Sequence, residues 1–294
     1  MTYSPDLIRS LAAKHGIEGE PTLLPNGGMV NEAWLIGDAH VLRIVRVKGC
    51  DEEAAREAAV VPLVVAAGMQ APRLVAYDVN GDPRPYTIYE RAAGELLGYV
   101  DRDLMEFEPA YRDIGRQIAM LSSIQVPKSS SGQFLKAKRG GPLKSLQRTV
   151  GKGAISAAQA DEIVDWVERT RPLLGKCRRR VLLHQDIHPW NVFVDVETRT
   201  LTAIIDWGDA AFGDPAFEFA SMPLVAVPAM LEGYQNAGAV LDKGFIPRIL
   251  WHGLSLALWE IRELDPKEYD RRWWRLSPGG WPEMRDTMAR LFGL

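Results

Sequence analysis

The stretch that most constrains this chain is residues 181–215, VLLHQDIHPWNVFVDVETRTLTAIIDWGDAAFGDP. Its apolar run Val181 to Leu183 ends in a polar cluster, and two β-branched pieces, Asn191 to Asp195 and Leu201 to Ile205, follow at strand length. Alternation at Val192, Val194 and Val196 suits a pleated hairpin with Glu197, Thr198 and Arg199 at its tip. The pattern predicts strand, loop, strand, turn, strand, turn, with Asp186, Asn191 and Asp206 at strand exits. Any one of the three passes as a turn cap, because Asp and Asn favour such positions. Three at these spacings ask for a shared chemistry.

Their order matches a phosphoryl-transfer site: an Asp that takes the acceptor's proton, an Asn five residues on that holds magnesium, then an Asp that holds magnesium again. Hard oxygen ligands suit this ion, which leans on one or two carboxylates plus the phosphates. The segment resembles the HxDxxxxN motif of the aminoglycoside phosphotransferase family, small-molecule kinases with a protein-kinase-like fold. Ile204, Asp206, Trp207, Gly213, Asp214, Pro215 and Ala220 fall on the family's IDW and GDPxxDLA patterns. Gln185 stands where Gly is commoner, and Glu218 and Phe219 replace Asp-Leu. The resemblance implies an α+β, bilobal kinase-like fold. An N-terminal antiparallel sheet with one helix, residues 1–92, would hold the nucleotide, and a larger, mainly helical lobe, residues 93–294, would carry catalysis and the acceptor. It makes Asp186 the catalytic base and Asn191 and Asp206 the Mg2+ ligands. His184 reads as a scaffold for the loop, and His188 as a solvent-facing residue.

With 294 residues, 47% of them hydrophobic, the chain can bury a sizeable core. A net charge of -3 gives no general pull toward nucleic acid or an anionic membrane. Cys50 and Cys177 are too few and too separated for a disulfide framework or a metal site, and Asp6, Arg9 and Lys14 interrupt any leader-like apolar core. The expectation is a cytoplasmic protein with no nucleic-acid or membrane partner.

Before the central stretch, Leu7, Ile8, Leu11 and Ala12 have helical spacing. A hairpin follows, turned at Pro25-Asn26-Gly27-Gly28, and then the strand Val41 to Val47. Glycines let backbone amides approach a phosphate closely, and GGMVNEAWLI resembles the family's nucleotide-positioning loop. The resemblance places Asn26, Gly27, Gly28 and Arg43 on the phosphates of ATP or GTP, and Glu57, in Arg56-Glu57-Ala58, as the partner of Arg43, a place that Glu52 or Glu53 could also fill one turn earlier. Pro62 inside the helix that starts near Asp51 predicts a break or kink. Tyr86 to Glu90 reads as the last strand of the first lobe, with Glu90, Arg91 and Ala92 at a connector whose backbone would meet the purine edge.

Helical spacing follows at Ala110 to Gln125, Ala157 to Leu174, Leu231 to Ala239, Ile246 to Leu264 and Trp281 to Leu291, with a polar loop at 127–141. Asp209, Glu260 and Glu263 are the acidic candidates for a cationic acceptor. The resulting expectation is a kinase moving the γ-phosphate of ATP or GTP to a hydroxyl of a small molecule such as an antibiotic. The alternatives are a metabolite kinase of the choline, homoserine or sugar type, and a nucleotide-binding pseudokinase module.

Overall fold

The computed structural model describes residues 2–25, 28, 30–127, 141–177, 179–263 and 280–294, and the backbone of 135–136. The elements, in chain order, begin with α1 (Pro5–Ala13), β1 (Pro21–Leu23), β2 (Asn31–Ile36), β3 (His40–Val45), α2 (Glu52–Ala66), β4 (Leu74–Asp78) and β5 (Tyr86–Glu90). Then come β6 (Glu95–Leu96), α3 (Glu108–Leu121), β7 (Leu135–Lys136), α4 (Pro142–Gly151), α5 (Ala157–Thr170), β8 (Val181–Leu183), β9 (Val192–Asp195), β10 (Thr200–Ile204) and β11 (Ala211–Gly213). Short α6 (Ala216–Ala220), α7 (Val227–Asn236), α8 (Phe245–Glu263) and α9 (Gly280–Phe292) complete the described chain.

The chain forms two compact units. The smaller comprises Met1–Ala93, Gln125–Leu135 and Thr202–Ala210, and the larger comprises Gly94–Ile124, Lys136–Leu201 and Ala211–Leu294. A single boundary near residue 93 therefore misassigns the turn that carries Asp206. Tertiary bonds claim it for the smaller unit: Ile204 N–H donates to Gln70 O at 2.8 Å, and Arg56 Nε donates to Gly208 O at 2.5 Å.

The smaller unit is built on a five-stranded antiparallel sheet of order β1-β2-β3-β5-β4. Ile8, Leu11 and Ala12 of α1 join Trp34, Ile36, Leu42, Ile44, Tyr86 and Ile88 in one apolar cluster, which removes the amphipathic face of α1 from water. Of the expected break or kink, the break does not occur: helix α2 runs from Glu52 to Ala66 through Pro62. Proline costs the helix one donor, yet Val60, Val61 and Val64 on either side of it are fully buried, and that packing holds the helical path.

In the larger unit β6 pairs antiparallel with β9, Glu95 facing Val194, and β8 pairs with β11, Leu183 facing Ala211. The turn after β9 forms as predicted: the Asp195 carboxylate accepts the N–H groups of Glu197 and Thr198 at 2.9 and 2.8 Å. Helices α3 and α7 cross closely because each offers a glycine. A Cβ on Gly115 would lie 1.9 Å from Met230 O, and one on Gly233 would lie 1.9 Å from Arg112 O. Ile163, Trp166, Leu250, Leu254, Leu258 and Trp281 form a second apolar core there. Helix α4 was not anticipated, although Leu143, Leu146 and Val150 recur at helical spacing behind a proline at its first turn. No described helix is long and apolar enough to cross a membrane.

Candidate active site

In the larger unit the loop after β8 brings together Asp186, Asn191 and both histidines of the motif. His184 is fully buried, and its Nδ1 accepts the Asp186 N–H at 3.2 Å, the scaffolding role expected of it. Gln185 takes a left-handed conformation, φ 71°, where a residue with a side chain is strained. Glu218 of α6 stabilises that turn: its Oε1 accepts the Gln185 N–H at 3.0 Å. Glu218 is itself 0% exposed, and burial pushes its carboxyl up to about 8. Its Oε2 has no hydrogen-bond partner among the described residues.

Asn191 closes the loop from the other end. Its Nδ2 donates to the backbone oxygen and to Oδ2 of Asp186, both at 3.0 Å. The amide nitrogen being committed, Oδ1 is the atom left for a cation. Asp186 remains the open member of the pair, its side chain 41% exposed against 6% for Asn191. His188 does not simply face solvent. Its Nδ1 accepts the Trp190 N–H at 3.1 Å, capping the turn Pro189–Asn191, and its Nε2 lies 3.3 Å from Asp186 Oδ2.

In the smaller unit Arg43 of β3 meets Glu57 of α2 at 2.5 Å and Asp206 at 2.8 Å. Glu57 is 2% exposed and also accepts from Thr87 and Tyr89, at 3.0 and 2.7 Å. Burial works against the Arg43 charge, and Asp206, Glu57 and Tyr89 more than offset it, raising its pKa. Asp206 holds a left-handed backbone, φ 66°, at the start of the Trp207–Asp209 turn, and Arg43 takes its Oδ1. Glu53 packs against Gly208, and burial together with Asp206, Asp209 and Glu57 pushes its carboxyl up to about 7.

Of the nucleotide-loop candidates, Gly28 has φ 92°, and its carbonyl accepts from Arg46 at 3.1 Å; Asn26 and Gly27 lie outside the described residues. At the connector, Glu90 N–H donates to Arg73 O and Arg91 N–H to Ala39 O, while the Ala92 N–H has no partner among the described residues. The Glu90 side chain is paired with Arg73 at 2.5 Å, so backbone rather than carboxylate is what this segment can offer a purine.

Residues 22–251 match the phosphotransferase enzyme family (APH). The chain belongs to that family. Among solved structures it is similar to wild-type aminoglycoside 2'-phosphotransferase-IIIa in complex with GDP, at 17% identity and a TM-score of 0.71, over 99% of this chain and 100% of the other. It is also similar to the apoenzyme of macrolide 2'-phosphotransferase MphH from Brachybacterium faecium, at 19% identity and a TM-score of 0.64, over 98% and 99%. Spectinomycin phosphotransferase APH(9)-Ia, in complex with ADP and spectinomycin, matches at 12% identity and a TM-score of 0.62, over 99% and 95%. At such identities the likeness speaks to the fold, an α+β kinase-like one with an antiparallel sheet in its N-terminal part and helices in its C-terminal part.

Within this phosphotransferase fold, the acceptor candidates stand in different settings. Asp209 is half-buried in the turn after Asp206. Glu260 is only 2% exposed, and Glu263 is paired with Arg262 at 2.6 Å and Lys152 at 3.3 Å. Two partners of the loop escaped sequence reasoning: His188, which lies beside Asp186, and Glu218, whose contact depends on α6 folding back on the loop. The only sequence signals were a second His inside the motif and a Glu where the family pattern has Asp.

A further, partly buried ionic group braces the turn Gly213-Asp214-Pro215. Arg248 of α8 bonds Asp214 at 2.5 Å and Asp242 at 2.8 Å. His252, one turn along α8, is edge-on to Phe217, and burial lowers its pKa to about 4.

Proposed function

We propose that this chain transfers the γ-phosphoryl group of ATP or GTP to a hydroxyl of a small molecule, an antibiotic of the aminoglycoside kind being the favoured acceptor. The observation that carries the reading is the loop in which Asp186 stands exposed on a backbone pinned at His184, Gln185 and Asn191. An oriented, solvent-accessible carboxylate is what a base in this reaction needs. Asp186 would align the acceptor hydroxyl and take its proton as the new O–P bond forms and the bond to the nucleoside diphosphate breaks. Because the transition state is loose, positioning and charge neutralisation supply most of the acceleration.

The donor set fits magnesium: Asn191 Oδ1 and the Asp206 oxygen not taken by Arg43 are both hard oxygen donors. Bound there, the ion would neutralise charge on the phosphates. Arg43, kept cationic by Glu57, would hold phosphate oxygens, with the backbone of Asn26 to Gly28 covering them. The backbone of Glu90 to Ala92 would meet the purine. Asp209, Glu260 and Glu263 belong to this proposal as acceptor contacts, with Glu263 having to exchange Lys152 or Arg262 for a cationic ligand.

The test is magnesium-dependent release of nucleoside diphosphate, with ATP and with GTP, against aminoglycosides, macrolides, spectinomycin, choline, homoserine and sugars, with Asp186→Asn as the blank. Turnover stimulated by an antibiotic and absent in the blank supports the reading. Stimulation by a metabolite alone moves the chain to metabolism. Tight nucleotide binding with no turnover on any acceptor makes it a binding module.

A further inference from the structure

His188 has no part in the scheme above, yet the neighbours of its two ring nitrogens limit where its hydrogen can sit. Its Nδ1 accepts the Trp190 N–H at 3.1 Å, and a backbone N–H can only donate. Nδ1 is therefore the bare nitrogen, and the neutral ring carries its hydrogen on Nε2. Nε2 faces two groups, Asn191 Nδ2 at 3.2 Å and Asp186 Oδ2 at 3.3 Å. Asn191 Nδ2 is also a donor, and its two hydrogens have acceptors in the Asp186 backbone oxygen and Oδ2, each at 3.0 Å. Two donors do not bond each other, which leaves Asp186 Oδ2, a polar contact at 3.3 Å, as the acceptor beside the Nε2–H.

The ring is held in place for this. It tilts at 60° to the Trp190 indole with centroids 5.7 Å apart. Trp190 in turn lies against Gly98, where a Cβ would come within 2.5 Å of the indole. The His188 side chain is 23% exposed, so solvent competes only in part for its Nε2–H.

We propose that His188 is a positioning residue for the base: its Nε2–H and the Asn191 amide converge on Oδ2 of Asp186 and fix the rotation of that carboxylate. The inference rests on reading Asp186 as the base. Both donors are neutral, so they orient the carboxylate while leaving its charge largely intact, as a proton acceptor requires.

Two measurements test it. Long-range 1H–15N correlation of the imidazoles in the full chain, with His188→Asn used to assign the signal, reads the tautomer directly. An Nε2–H ring is expected, and an Nδ1–H ring would overturn the proposal whatever the activity. Kinetics then separate the two ends of the ring. Asn in place of His188 keeps an oxygen near the position of Nδ1, and with it the cap on Trp190, but does not reach Asp186. Gln carries an amide donor out to the position of Nε2. With magnesium and ATP or GTP, and water as the acceptor, His188→Asn should lower kcat about ten- to a hundredfold, the scale of a misplaced reacting group. Its nucleotide KM and melting temperature should be unchanged, and His188→Gln should recover most of the loss. A wild-type kcat in His188→Asn beside an inactive Asp186→Asn overturns this inference alone. An active Asp186→Asn removes the base and this inference with it.

Discussion

The two halves of the candidate chemistry are held by opposite means. In the smaller unit Arg43 is tied by charge, with Glu57 at 2.5 Å and Asp206 at 2.8 Å, and Glu57 is almost wholly out of water. In the larger unit the loop bearing Asp186 is held by hydrogen bonds rather than strong ion pairs: an imidazole on its N–H, a carboxamide on its side chain and, on Gln185, the buried Glu218 carboxyl, whose pKa burial raises. The difference suits the roles proposed for the two residues. A cation meant for phosphates is best kept charged by compensating carboxylates. A base must be oriented without being neutralised, which donors of no net charge achieve.

Breaking each half should therefore give a different signature. The largest effect belongs to Asp186→Asn: turnover falls by about 10²- to 10⁴-fold while nucleotide binding stays near wild type, measured as kcat and as the Kd of the magnesium nucleotide. Arg43→Met strands Glu57 in the core with only two hydroxyl donors. The loss of one partner from a buried pair costs about 3–5 kcal/mol, so denaturant titration should show a large loss of stability together with weakened nucleotide binding. Gly115→Ala lies away from both halves and pushes a methyl into Met230 O. It should cost about 1–3 kcal/mol of stability and leave kcat per folded molecule unchanged, which separates general loosening from damage to the loop.

Glu218→Gln is the gentlest probe. With its carboxyl raised from 4.5 to about 8, the folded state keeps a proton that the unfolded chain has lost between those two values. Wild-type stability should then fall as pH rises through that window. Gln cannot release a proton, so the variant's melting temperature should decline less from pH 5 to pH 8. Equal slopes would mean that the Glu218 carboxyl is ionised and that the loop is held by charge after all.

Much of the site is local and so was legible. The strand, loop and hairpin of residues 181–204 follow from alternation and turn residues, and the structure has them within a residue or two. The pairing of Arg43 with Glu57 came from the Arg-Glu-Ala resemblance, and it is present. His188 was misread because neighbours along a loop do not reveal which way a ring turns; the Trp190 N–H decides that here. The break that Pro62 offered does not occur. Its local cost is real, but Val60, Val61 and Val64 bury enough apolar surface to keep α2 continuous.

By itself the sequence determined the chemistry on offer: which oxygens, which cation, in what order along the chain, and which segments pair as strands. These depend on side-chain type and on neighbours a few residues away. Only the tertiary structure decided that the Asp206 turn belongs with β3 and α2 rather than with the strands before it, that Glu218 is buried with its carboxyl pushed up, and that His188 lies beside Asp186. Each of those turns on burial or on a partner brought in from a distant part of the chain, and neither is written in local spacing.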